Sequence, residues 1–558
     1  MRALHLSLRG KPAITGSVLL LALTTASPTA LAGIAGPVRI DTGLVQGAPA
    51  RDPSITAFRG IPYAAPPVGA LRWRPPAAAI PWTGVRKADK FGASCPQPRS
   101  AEAMDEDCLF LNVWTGAASS KERRPVMVWF HGGGFFAGSG SDPATDGTGL
   151  AKKGVILVTL NYRIGPLGFL ASPALSKESG HNASGNYGLL DEIAALKWVK
   201  RNIAAFGGDP DQVTVFGHSA GAGSVNLLTI SPLAKGLYKR ALAESQVRWP
   251  QDLELRYLSS SWRAKQGAEK AGSAYLESLG VSSLAAARAL PWKSLPNPGG
   301  DTPDLSVYTG STARPPMFRP VIDGYVLPRN FSQAFAAKAQ SRVQYAAGNN
   351  LDEGGAAPQT AWAGLRERGP RGAINMGSPF PIVTLDAYVA AARTKFGALA
   401  DEFLTLYPAS TDDEAAAQNN EAIRDNSQIS TYLWARQWER DTRRPMHTYM
   451  WTRALPGPTR IPRGAFHGSE IHYVFNSLEE AKLPWSEQDR KIAEIMSSYW
   501  ANYAKTGDPN GPGLPSWPGF DAGSRTVMLL GDSFGPEPIA SDARFDFWER
   551  FFATNQAW

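Results

Sequence analysis

Cysteine is nearly missing from this chain. Cys95 and Cys108 are the two in 558 residues, too few for a disulfide scaffold, and nothing near them supplies the further ligands of a zinc site. Charge is sparse as well, at 19% Asp, Glu, Lys and Arg. The formal net charge is +8 with a pI near 9.3, yet no Lys/Arg-rich run exists. The densest cluster, Lys121 to Arg124, has Glu122 inside it, so the excess does not mark a nucleic-acid surface. No segment has the roughly 20 consecutive apolar residues that span a bilayer. Histidine is rare, at seven residues. The apolar share of 43% is that of an ordinary globular protein, which excludes wholesale disorder, collagen and coiled coil. Glycine (55) and proline (44) are plentiful and imply many turns and long loops.

Residues 1–32 have the pattern of a secretory signal. Arg2, Arg9 and Lys11 precede a mostly apolar stretch, Ala13 to Ala26, and Ala30-Leu31-Ala32 is a small-x-small cleavage site. Thr24, Thr25, Ser27 and Pro28 break the stretch before it reaches spanning length. The expectation is a secreted or periplasmic protein cleaved near Ala32. In an oxidising compartment Cys95 and Cys108 would pair and add about 3 kcal/mol by loop entropy; two reduced, buried thiols are the alternative. Asn182-Ala183-Ser184 and Asn330-Phe331-Ser332 are glycosylation sequons.

Several continuous apolar runs suit strands covered on both faces: Pro125 to Phe130, Val155 to Leu160 and Val213 to Phe216. Between them, Leu189 to Phe206 has helical spacing in Ile193, Leu196, Val199 and Ile203. Arg342 to Gly348 and Met446 to Trp451 read as later strands. The alternation predicts an α/β fold with a mostly parallel central sheet flanked by helices. The segment from Trp249 to Arg314 reads as an insertion over that sheet.

The sharpest local signal is Gly217-His218-Ser219-Ala220-Gly221, between the strand VTVF and a helical run. A G-x-S-x-G turn in this context exposes a nucleophilic serine, with glycines giving the backbone room to turn. Serine needs a base. In the order serine, acid, histidine, the histidines after Ser219 are His447, His467 and His472. His447 lies inside a predicted strand, where a packed, hydrogen-bonded side chain is expected. His467 lies in a loop beyond that strand, where sites of α/β sheets form; His472 is read as a surface or supporting residue. Asp352 and Glu353, after another strand, are equally able chemically to hold the imidazole. His131-Gly132-Gly133-Gly134 follows a strand and offers backbone N–H groups for an oxyanion. No Lys-Ser/Thr pair follows, as a phosphate loop would need.

With these residues in place, the sequence resembles the type-B carboxylesterases, the cholinesterase-like branch of the α/β-hydrolases. The resemblance covers most of the mature chain. It rests on Phe206-Gly207-Gly208-Asp209-Pro210 running into the elbow, on Glu106-Asp107-Cys108-Leu109-Phe110-Leu111-Asn112-Val113, on Phe58 to Pro76, Asn161 to Leu170, Gly185 to Ile203 and Trp500 to Asn510. It implies one α/β-hydrolase domain over 33–558, with cap-like insertions near 249–340 and 355–440. It implies Ser219 as nucleophile, Glu353 as acid and His467 as base, within His467 to Ile471. Gly133, Gly134 and Ala220 become oxyanion donors, Ser245 a supporting serine near the acid, and Cys95–Cys108 the first disulfide of the family. No metal or organic cofactor is required.

The implied activity is hydrolysis of small-molecule carboxylic esters through an acyl-enzyme. A non-catalytic adhesion protein of the same family, an amidase and a lipase are the rivals. His218 stands where the family often has glutamate. With the basic composition, this motivates a preference for esters of acidic or bulky acids, such as a polyester toxin, unless the histidine is merely structural. Trp249, Trp262, Trp292 and Trp362 either line a gorge or pack the core, with core favoured for each.

Overall fold

A computed structural model describes residues 34, 36–98, 100, 102–253, 264–297, 318–353, 356, 383–458 and 460–557. The signal read at 1–32, Trp262, Trp362 and parts of both expected insertions lie outside them. The described residues belong to one compact unit, Ala32–Trp558.

The apolar runs form strands. Among the described residues, eleven strands make the main sheet: β1 (Ala48–Pro49), β2 (Thr56–Pro62), β3 (Phe110–Thr115), β4 (Arg124–Phe130), β5 (Ile156–Leu160), β6 (Gly208–His218), β7 (Arg240–Glu244), β8 (Gln344–Asn350), β9 (Met446–Trp451), β10 (Thr526–Leu530) and β11 (Gly535–Pro538). Their spatial order is β11-β10-β9-β8-β7-β6-β4-β5-β3-β2-β1. The strands from β4 to β10 pair in parallel with one another, and the antiparallel pairings fall towards the two edges. Every residue of β5 is buried, which explains its nearly continuous apolar run: a strand covered on both faces has no solvent side to make polar. β7 is buried throughout as well, including Arg240 and Glu244 at its two ends.

Helices supply the cover. The helical spacing after Leu189 becomes α1 (Tyr187–Asn202), followed by a short 3-10 turn to Phe206. The elbow opens α2 (Ala220–Ile230), buried along its whole length. Within the segment read as an insertion near 355–440 runs α3 (Asp412–Thr442). Its Trp434 and Trp438 pack edge-on to Tyr345 of β8, with centroids 4.7 and 5.0 Å away. On the other face lies α4 (Glu487–Thr506), whose Trp500 is fully buried. No helix among the described residues is long and apolar enough to cross a membrane.

Register positions the site. Phe130, Gly217, Ala243, Ala347 and Thr448 lie side by side across β4, β6, β7, β8 and β9. The turns after these strands therefore leave from one carboxyl edge of the sheet. The strand order also reverses here, since β5 lies on one side of β4 and β6 on the other. Such a switch point opens a crevice at the strand ends.

Candidate active site

The elbow is held by three close approaches. Ser219 has φ 56° and ψ −122°, a left-handed conformation that costs a non-glycine residue energy and is sustained by its surroundings. Its N–H donates to the Glu244 carbonyl at the end of β7 (2.9 Å), and its carbonyl accepts from Gly223 (2.8 Å). The flanking glycines are needed for room. A Cβ on Gly221 would lie 1.9 Å from the Phe130 carbonyl oxygen, and one on Gly217 would lie 2.7 Å from it. Strand β4 thus passes directly against the turn, and the positive φ falls on the serine rather than on these two glycines.

His467 sits in the loop after β9, on a mount built by Asp352. The Asp352 carboxylate accepts from Ala465 N–H (2.9 Å) and pairs with Arg424. The Asp352 N–H donates to the Ala465 carbonyl (3.0 Å). Asp352 is therefore occupied in fixing the histidine loop. Its neighbour Glu353 is the one that reaches the imidazole, with Oε2 2.5 Å from His467 Nδ1. Its other oxygen accepts from the Asn350 N–H (2.8 Å). Burial pushes the Glu353 carboxyl up, but the charge and hydrogen bond of His467, the Asn350 N–H and nearby Ser245 outweigh it and hold Glu353 below the ordinary range. Ser245 Oγ is close enough to contribute without completing a hydrogen bond of its own. Burial pushes His467 down, and Glu353, then Glu470, reverse this and raise it above its ordinary value.

His218 packs against His467, with the two rings 4.2 Å apart between centroids. It is buried, and desolvation followed by the neighbouring His467 pushes it well below the ordinary histidine range. At neutral pH it carries no charge to offer a substrate. No hydrogen bond joins Ser219 Oγ to His467 among the described contacts; the elbow and His467 meet through this ring contact.

Sequence reasoning missed two carboxyls behind the histidines. Glu470 is fully buried and accepts from Asn350 Nδ2 (2.5 Å), while its other oxygen lies 3.9 Å from His218 Nε2. Glu244 is equally buried and accepts from Trp500 Nε1 (2.8 Å). Burial pushes both up, helped at Glu244 by the charge of Glu470 and at Glu470 by the charge of Glu353, so both hold protons to higher pH than exposed carboxyls do. Glu470 lies within the stretch His467 to Ile471 and Glu244 directly precedes Ser245, but only their three-dimensional meeting reveals the pair.

The glycine loop after β4 forms the opposite wall. Gly133 (φ 101°) and Gly134 (φ 63°) take left-handed conformations. The Gly133 carbonyl accepts from Phe136 (3.1 Å) and Ala137 (2.9 Å). Among the described residues, the N–H groups of Gly133, Gly134 and Ala220 make no hydrogen bond within the protein. A Cβ on Gly132 would meet Ser219 Cβ at 3.3 Å, so this loop lies against the elbow. Cys95 and Cys108 form a disulfide with Cα atoms 5.0 Å apart. Within its loop, Gln97 exchanges two hydrogen bonds with Gly138 (3.0 and 3.1 Å) and so braces the far end of the glycine turn.

The other candidates have structural surroundings. His447 is buried in β9 between Tyr503 and Trp517, and is packed as expected. Its Nδ1, however, makes no hydrogen bond, and burial pushes it down to about 4. His131 stacks on Tyr162 at 4.2 Å. His472 is half-buried, Nδ1 3.3 Å from the Ser477 carbonyl. Trp249 packs against two core clusters and Trp292 is half-buried. Among the described residues, no cluster of three His, Cys, Asp or Glu is arranged to hold a metal.

Comparison with known proteins agrees with this architecture. A thermophilic PNB esterase of known structure superposes with a TM-score of 0.73 at 29% identity, covering 92% of this chain and all of its own (100%). The Geobacillus stearothermophilus carboxylesterase gives 0.71 at 30% identity, over 92% and 99%. The fold is that of an α/β-hydrolase. Residues 35–548 match the Carboxylesterase family. Fumonisin B1 esterase of Sphingopyxis macrogoltabida is 36% identical over 513 residues, 88% of this chain and 86% of that protein. Para-nitrobenzyl esterase of Bacillus subtilis (strain 168) is 32% identical over 503 residues, 85% and 90%. The chain belongs to the carboxylesterase family, serine hydrolases that act on carboxylic ester bonds.

Proposed function

We propose that this enzyme hydrolyses small-molecule esters with Ser219 as nucleophile, His467 as base and Glu353 as acid, in a chain exported after cleavage near Ala32. The observation that carries this reading is the 2.5 Å contact between His467 Nδ1 and Glu353 Oε2, at the strand edge where the elbow presents Ser219. That contact directs the free nitrogen, Nε2, to act as the acceptor. The Ser219 hydroxyl meets this nitrogen in the substrate complex; resting sites of this kind are often looser than the working complex.

His467 then takes the Ser219 proton as Oγ attacks the ester carbonyl. The N–H groups of Gly133, Gly134 and Ala220 receive the oxyanion, and Glu353 stabilises the imidazolium. His467 returns the proton to the departing alcohol. Water, deprotonated by His467, attacks the acyl-enzyme and releases the acid. Ser245 supports Glu353, and neutral His218 fixes the face of the His467 ring. One catalytic body over 33–558, with its insertions shaping the pocket, accommodates these parts.

The test is labelling of the purified mature chain with an organophosphate fluoride, alongside turnover of a 4-nitrophenyl ester. A single phosphorylated peptide containing Ser219 is expected, with Ser219→Ala losing about 10⁶-fold in kcat. Labelling elsewhere, or turnover surviving in Ser219→Ala, overturns the assignment.

A further inference from the structure

Arg319 is 6% exposed. Among the described residues its guanidinium has no hydrogen-bond acceptor and no carboxylate partner. This sets it apart from the other deeply buried arginines. Arg72 is paired with Glu106, Arg163 with Asp191 and Arg453 with Asp489, while Arg240, which has no carboxylate, donates to Gln344, Gln212 and the Ala504 carbonyl. A buried charge without a counterion is costly, so an arginine kept in that condition calls for an explanation.

Its location supplies one. Arg319 Nη1 lies 3.3 Å from where a Cβ on Gly134 would be, and its guanidinium is 5.6 Å from the centre of the Phe135 ring. A Cβ on Gly132, two residues back, would meet Ser219 Cβ at 3.3 Å. Two Cα steps are about 7 Å, which puts the guanidinium and the serine on the order of 10 Å apart, the scale of a short diacid. The arginine is also held in place. Phe318 packs edge-on to Tyr275 at 5.0 Å, and the Val321 backbone is clamped by Asn186 through hydrogen bonds of 2.7 and 2.8 Å.

We propose that Arg319 is a substrate-binding residue that receives a free carboxylate on the acyl part of the ester, so that the enzyme selects half-esters of dicarboxylic or polycarboxylic acids. This rests on the assignment of Ser219 as nucleophile and deepens it. The planar guanidinium offers a carboxylate two parallel hydrogen bonds and supplies the counter-charge that the protein leaves out. Burial lowers its pKa only to about 10, so it stays charged at neutral pH. An ester with a neutral acyl chain leaves that cation unpaired and forgoes the interaction. The preference for acidic acyl groups that the sequence attached to His218 is thereby moved to a residue that carries charge.

The experiment compares 4-nitrophenyl hydrogen adipate with 4-nitrophenyl hexanoate, which match in length and differ by the terminal carboxylate. Arg319→Met is expected to lower the ratio of their kcat/KM values roughly 10- to 100-fold, with Arg319→Lys in between. A ratio unchanged in Arg319→Met overturns the proposal, as does an equal fall for both esters, which would mark a structural or general electrostatic role. Calorimetric titration of Ser219→Ala with monomethyl adipate reads the same site without turnover. Binding that disappears in Ser219→Ala/Arg319→Met supports the carboxylate site, and binding that persists overturns it. Failure of the wild type to turn over either ester, with this binding intact, would instead count against the nucleophile assignment alone.

Discussion

The two walls of the crevice are opposites. The wall that carries His467 is rich in buried carboxyls: Glu353 on the imidazole, Glu470 and Glu244 behind it, and Asp352 in the mount of the loop. The wall formed by the glycine loop has open N–H groups, a pair of left-handed glycines and an arginine without an acid. The difference matches the chemistry in sign. Acyl transfer puts positive charge on the imidazole and negative charge on the carbonyl oxygen, and each wall is arranged in advance for the charge that appears beside it. Preorganisation costs folding energy in both places, in carboxyls that burial pushes up on one side and in an unpaired guanidinium on the other.

The contrast can be broken most severely on the carboxyl side. Glu353→Gln keeps the shape but removes the charge and favours the wrong tautomer of His467. A fall of about 10⁴-fold in kcat is expected by analogy with other triads. Because Glu353 raises the His467 pKa, the acid limb of kcat/KM should move to lower pH in whatever activity remains. The sign follows from the need for a neutral base: activity rises as pH climbs through the His467 pKa, and a less basic imidazole reaches that state sooner. An acid limb that stays in place or moves up would detach Glu353 from the base.

On the opposite wall, Gly134→Ala forces a side chain into a position with φ 63° and into Phe136, 2.7 Å away. The displaced N–H should cost about 10²- to 10³-fold in kcat with a smaller change in KM. Stopped-flow acylation measures this, and a purely KM effect would remove Gly134 from the oxyanion site. The mildest sharpening is Glu470→Gln. Glu470 helps raise the His467 pKa, so its loss should shift the acid limb downward by less than Glu353→Gln does, with kcat at the alkaline plateau falling less than about tenfold. A shift upward in pH would mean that the pair behind the histidines does not act on the base.

Much of the site was legible in the sequence because its parts follow strand ends. VTVF, PVMVWF and RVQYAAG announced the strands, and the turn after each had to emerge at one edge once the strands lay parallel. The choice between Asp352 and Glu353 was not legible from chemistry, since both carboxylates suit an imidazole. The structure distinguishes them by giving Asp352 to the Ala465 backbone and Arg424. The hydrogen-bonded surroundings expected of His447 were also only half right: packing against Tyr503 and Trp517 took the place of an Nδ1 partner. Arg319 left no trace in the sequence, because an arginine between Phe318 and Pro320 reads like any other.

Sequence alone determined the strands that lead into the site, the tight turn that lifts Ser219 from the sheet, and the membership of the chain in its family. These are local matters of periodicity, backbone room and motif. Tertiary structure decided which acid reaches His467, that Glu244 and Glu470 share a buried space, and that Arg319 stands without a counter-charge beside the glycine loop. Those facts depend on distances between residues tens to hundreds of positions apart, and on the exclusion of water around them, which no stretch of sequence contains.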